Sequence, residues 1–243
     1  NGSTVSYPNN VADPFYEFYV GYVAPLWCAS FEARSNDWTS SDDWEVGEPR
    51  GLATDPKLAH GGTGVFGTDL TMDGAYAKSA TSFAETVEID LEGRLDARLQ
   101  LWRWLAVEDG FYDHARILIN DELVWSNMAS TTEPQDSIDH VDREWRFADF
   151  DLAPYARSGK VKLRFELESD EGLQLGGWNL DDVCIVYPSV APPPDCQGED
   201  CLDPTDPAAD DEDLAGCCSS SRGGPGALGL GLLVLGLVLR RRR

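Results

Sequence analysis

Val161-Lys162-Leu163-Arg164-Phe165-Glu166-Leu167 alternates apolar and charged side chains without a break. In an extended chain successive side chains point to opposite faces, so this stretch presents Val161, Leu163, Phe165 and Leu167 on one side and Lys162, Arg164 and Glu166 on the other. That is the pattern of a strand with one face in a core and one in water. Working outward, similar short runs rich in β-branched and aromatic residues recur at Glu17-Phe18-Tyr19-Val20, Thr86-Val87-Glu88-Ile89, Leu99-Gln100-Leu101-Trp102, Arg116-Ile117-Leu118-Ile119 and Val183-Cys184-Ile185-Val186. Turn formers separate them: Asp73-Gly74, Glu108-Asp109-Gly110, Ser158-Gly159, and Asn120-Asp121-Glu122, which reads as a hairpin tip. No long window carries a 3.6-residue period upstream of Pro188. Many short strands without interleaved helices predict an all-β fold, a jelly-roll β-sandwich of two antiparallel sheets.

Composition divides the 243 residues further. Residues 26–188 form the predicted sandwich, and eight Trp supply a large apolar area for its core. Residues 1–25 read as the tail of a preceding β domain. Residues 189–215 are an acidic Pro-rich linker with nine acids and no base between Asp195 and Asp213. Pro removes donors and like charges repel, so this segment is expected to stay extended. Residues 216–243 run from Gly216-Cys217-Cys218 through the apolar stretch Gly223–Leu239 to Arg240–Arg243. As a helix the apolar stretch would span about 25 Å, at the short end for a bilayer, with the Arg cluster held on the cytoplasmic side.

Lys and Arg number 19 against 43 Asp and Glu, a formal charge of −24. Nucleic acid is excluded as a partner, because a phosphate backbone needs clustered bases and the only dense basic run is the terminal one. The chain starts without Met, a basic n-region or an apolar h-region. Together with six Cys and the apolar C-terminal segment, this reads as the C-terminal piece of a longer exported protein.

Catalytic spacings are missing. His60, His114 and His140 fall in no HExxH, and no Gly-x-Ser-x-Gly elbow occurs, so the chain is expected to be non-catalytic. The carboxylates have two readings. A hard cation such as calcium takes six to eight oxygens, and Phe31-Glu32, Asp69 with Asp73, and Asp181-Asp182 would converge on one if the first and last strands lay side by side; alternatively they are solvated loop acids. Cys28 lies by the predicted first strand and Cys184 in the last, giving either a disulfide or two buried thiols. Cys196 and Cys201 form a C-x4-C pair in the linker, expected to close a small local disulfide. Cys217 and Cys218 stand where a membrane enzyme would reach them.

Two segments resemble known families. Gly216-Cys217-Cys218, the apolar segment and Arg240–Arg243 resemble the MYXO-CTERM sorting signals of myxobacteria. This resemblance implies transient membrane insertion, cleavage near Cys217 and Cys218 by a sorting protease, and display at the outer cell surface. Ser30-Phe31-Glu32, Asp42-Asp43-Trp44-Glu45, the WRWLAVEDGFYD stretch from Trp102 to Asp113, and Ser169-Asp170 leading to Gly176-Gly177-Trp178-Asn179-Leu180-Asp181-Asp182-Val183 resemble the jelly-roll modules of immune-inhibitor-A metallopeptidases and MAM domains. That resemblance implies structural calcium at Glu32 and Asp182, with Asp69 as a third ligand. It also implies an accessory role beside an upstream zinc metallopeptidase domain, where any zinc would reside. An adhesin or carbohydrate-binding module for a protein or glycan ligand is the alternative, and an exposed Trp platform would favour it.

Overall fold

The computed structural model describes residues 10–131 and 136–190, and this part is an all-β sandwich. Cys196, Cys201, Cys217, Cys218, the linker beyond Val190 and the segment 216–243 lie outside the described residues. Among the described residues no helix is long and apolar enough to cross a membrane.

Among the described residues fourteen strands run β1 (Val23–Ala29), β2 (Trp38–Ser40), β3 (Trp44–Gly47), β4 (Val65–Thr68), β5 (Thr81–Thr86), β6 (Ile89–Asp90), β7 (Arg98–Val107), β8 (His114–Ile119), β9 (Glu122–Ser126), β10 (His140–Val141), β11 (Arg146–Asp151), β12 (Lys160–Val161), β13 (Leu163–Glu168) and β14 (Gly177–Pro188). One sheet has the order β10-β7-β14-β4-β3, with β11 also on β7 and β1 also on β14; the other has the order β2-β5-β13-β8-β9. Strands β6 and β12 form a small separate ladder. All pairings are antiparallel.

The alternation that predicted the fold is realised along β13. Leu163, Phe165 and Leu167 are buried between the sheets, while Arg164 and Glu166 join Arg116, Glu85 and Lys162 in an ion-pair ladder on the outer face. Leu99, Leu101 and Leu105 of β7, Ile117 and Ile119 of β8 and Trp178 of β14 complete the core. Trp178 lies edge-on to both Phe165 and Trp125, an arrangement that sets the positive ring edge of one against the negative face of the other. The predicted tip at Asn120-Asp121 joins β8 to β9. Both residues are left-handed, φ 51° and 64°, which gives the type I′ turn whose twist matches the flanking strands.

Three predicted strands differ. Val161–Leu167 is interrupted at Lys162, whose amide donates to the Asn120 side-chain oxygen, so Val161 ends β12 on the β6 ladder and β13 begins at Leu163. Thr86-Val87-Glu88-Ile89 is divided: β5 ends at Thr86, the Val87 amide donates to the Asp37 carbonyl, and the ladder resumes at Ile89. Glu17–Val20 lies beside β11 but is not a strand, and its Tyr19 amide is taken by the Asp149 carboxylate instead of a neighbouring backbone. Residues 10–17 are also tied to the sandwich. The Asn10 amide donates to Asp142 at 2.7 Å, and Asp13 pairs with Arg103.

Candidate functional site

Strand β14 changes neighbours along one edge. It pairs with β4 at Asn179 and Leu180 and with β1 from Val183 onward, and its ladder with β7 is irregular between Asp181 and Cys184. Asp181 and Asp182 occupy that changeover. Glu32 follows the end of β1, and the loop His60-Gly61-Gly62-Thr63-Gly64 immediately precedes β4. Three distant pieces of sequence therefore meet where β14 switches partners. The same register puts Cys28 opposite Cys184, and the two form a disulfide.

The loop is held from both sides by carboxylates. Glu32 accepts the amides of Thr63 at 2.9 Å and Gly64 at 3.0 Å, and the Thr63 hydroxyl at 3.0 Å. The Asp181 carboxylate accepts the amides of His60 at 2.9 Å and Gly61 at 3.0 Å, and Asp182 lies 2.8 Å from His60 Nδ1. Glycine is required by this closeness: a Cβ on Gly62 would overlap the Glu32 carboxylate, and one on Gly61 would come 2.8 Å from Asp182 Oδ2. Phe31 and Asp182 are themselves left-handed, φ 56° and 46°, a conformation disfavoured for side chains with a Cβ.

Electrostatically the two sides differ. The Gly64 and Thr63 amides hold the Glu32 carboxyl below its usual range. Burial pushes Asp181 up, its hydrogen bond from Gly61 opposes this, and the adjacent Asp182 charge adds to the rise. His60, Asp181 and Asp182 offer ligand atoms within 4.8 Å of one another. Of the residues nominated from sequence, Glu32 and Asp182 are thus brought to opposite sides of one loop. Asp69 is not, since β4 separates it from Gly64 by roughly 16 Å of extended chain. It sits instead beside Asp73, its amide on the Asp43 carbonyl. Sequence reasoning missed His60 as part of the group. The cluster of glycines around it, Gly61, Gly62 and Gly64, is the signal that could have found it.

A second acidic group joins Glu108, Asp113 and Asp170. Tyr76 Oη donates to Asp113 at 2.5 Å and the Asp170 amide donates to the same carboxylate at 2.7 Å. These bonds tie the 108–113 and 169–175 loops together at their base.

None of the eight Trp is fully exposed. On the outer face of the larger sheet, His60 stacks on Trp102 at 3.8 Å, and Trp145 meets both His60 and Trp104 edge-on. The indole N–H groups of Trp104 and Trp145 donate to the Thr54 and Leu58 carbonyls. These rings fasten the 51–63 loop to the sheet.

No family model matches the chain. Over 159 residues, 64% of the chain, it is 30% identical to bacillopeptidase F of Bacillus subtilis (strain 168). That alignment covers 10% of the bacillopeptidase, so the chain spans about a tenth of the length of the curated relative it matches. Among solved structures, the K1 cleaved adhesin domain of Lys-gingipain from Porphyromonas gingivalis W83 superposes with a TM-score of 0.43 at 17% identity, covering 70% of this chain and 99% of that one. The CBM22-1 xylan-binding domain of Paenibacillus barcinonensis Xyn10C superposes with a TM-score of 0.37 at 13% identity, covering 70% and 99%.

Proposed function

We propose that the sandwich is a non-catalytic, calcium-stabilised jelly-roll accessory module of an exported peptidase, carried on an acidic stalk and a MYXO-CTERM-type sorting tail. The observation that carries this reading is the 30% identity to a stretch amounting to a tenth of a peptidase, a share that suits an appended module. The disulfide suits folding in an oxidising compartment. Any zinc would belong to an upstream catalytic domain.

Calcium is supported by the chemistry of the donors. Asp181 and Asp182 lie together, Glu32 stands across the glycine loop from them, and carboxylate oxygens are the donors a hard cation takes. The like charges of Asp181 and Asp182 are adjacent and partly buried, and a divalent cation would relieve their repulsion. The one imidazole in the group already faces Asp182, and a structural zinc site would want Cys and several His. Calcium at a hundredfold over its Kd would stabilise the fold by about 2.7 kcal/mol. Thermal melts in calcium and in EDTA are therefore expected to differ, and the difference is expected to vanish in Glu32→Gln/Asp182→Asn. Identical melts refute the calcium assignment. For the accessory role, the purified chain incubated with casein is expected to release no peptides; cleavage that co-purifies with the chain through ion exchange refutes it.

A further inference from the structure

Beside the edge strand β11 lies a cleft of about 440 Å³, between that strand and residues 13–17. Its floor holds an uncommon group for the interior of a sandwich. Arg103 and Arg146 project from neighbouring strands toward the space between the sheets and are both 2% exposed. Arg103 pairs with Asp13 and Asp142 and lies over the Trp125 ring at 4.4 Å. Arg146 spends one nitrogen, Nη2, on the main-chain carbonyls of Asp13 at 3.0 Å and Phe15 at 3.1 Å. Its Nε and Nη1 are buried and have no partner. Donors left empty inside a protein are costly, and Arg146 lines the cleft, so the cleft calls for an acceptor.

The surroundings say which kind. Two arginines already face two aspartates, Asp13 and Asp142, while burial keeps His140 beside them below its ordinary pKa, and thus neutral. A neutral group needs acceptor oxygens and not added negative charge. The cleft rim carries Glu17 and Asp151, which disfavours polyanions further. Arg146 already holds main-chain carbonyls, those of Asp13 and Phe15, and β11 pairs with β7 on one side only. Phe15 beside the cleft is 80% exposed. We propose that this cleft binds an extended polypeptide segment, whose main-chain carbonyls fill Arg146 Nε and Nη1 and whose basic flanks meet Glu17 and Asp151. The recognition is of main-chain carbonyls by a buried guanidinium, and it holds whether or not calcium binds at the loop.

The test uses the full chain and a capped peptide, acetyl-Lys-Thr-Val-Thr-Val-Lys-amide, followed by backbone amide and Trp side-chain NMR shifts. Binding is expected to move the amides of residues 146–151 and the Trp125 indole. Arg146→Lys keeps the charge and removes the fork, and is expected to weaken binding about tenfold. Should that variant fail to fold, Glu17→Lys on the exposed rim decides: it should lose affinity for the Lys-flanked peptide and gain it for a Glu-flanked one. Absence of binding at millimolar peptide, shifts centred elsewhere, unchanged affinity in a folded Arg146→Lys, or equal affinities for both peptides in Glu17→Lys would each overturn the proposal.

Discussion

Asp55, in the 51–63 loop, is buried, with its Oδ1 accepting the Asn179 side-chain amide at 2.8 Å. Burial pushes its carboxyl up from 3.8 to about 7; the Asn179 bond opposes this, and the Asp69 charge reinforces it. A carboxyl raised in this way favours the protonated form in the folded state. Between about pH 4 and pH 7 the native state holds a proton that the unfolded chain has released, so stability falls as pH rises through that window. At 1.36 kcal/mol per pH unit, the loss is about 4 kcal/mol by pH 7. Asp55→Asn removes the titration and keeps an oxygen for Asn179. The variant is expected to match the parent near pH 4 and to exceed it progressively up to pH 8. For a domain of this size, 1 kcal/mol moves Tm by about 2–4 °C, so the gap at pH 8 should reach roughly 8–16 °C. Melting curves of both proteins from pH 4 to pH 8, in EDTA to keep any cation out of the comparison, measure it. Parallel curves, or a variant less stable than the parent at pH 8, would refute the reasoning that Asp55 is buried against its charge.

Closing a loop between residues 156 positions apart, the Cys28–Cys184 bond should contribute up to about 5 kcal/mol, so a double Ala variant should melt far below the oxidised parent, and non-reducing peptide mapping should link the two cysteines. Gly62→Ala meets both a left-handed backbone and the Glu32 carboxylate, whereas Gly93→Ala meets a left-handed backbone in open space. Chemical denaturation should show the first to cost about 2–4 kcal/mol and the second about 1 kcal/mol; equal costs would mean the loop does not press on Glu32. If the tail is a sorting signal, mass spectrometry of surface-displayed protein should find no peptide containing Arg240–Arg243, and an intact C-terminus recovered there would contradict it.

The period-two pattern of 163–167 made β13 legible because one face of its sheet is wet, and Asn120-Asp121 made the β8–β9 hairpin legible because few residue pairs accept two left-handed positions. Glu17–Val20 misled for a related reason. Its composition suits a strand, but strand formation needs a backbone partner, and this segment gives its Tyr19 amide to a side chain. Local alternation likewise says nothing about buried charge: Arg103 and Arg146 sit at inward positions among leucines, tolerated because Asp13, Asp142 and carbonyls reach them.

By itself, then, the sequence determined an all-β sandwich and its inward and outward faces, and left Cys28 and Cys184 as either a disulfide or two thiols. These follow from local periodicity, whereas the disulfide waited on the β1–β14 pairing. Which carboxylates meet was decided only by the tertiary structure. Glu32, the 60–64 loop and Asp181-Asp182 come together because β14 exchanges β4 for β1 within a few residues, and Asp69 is excluded because it lies at the other end of β4. That register is set by contacts between segments more than a hundred residues apart, and no local pattern encodes it.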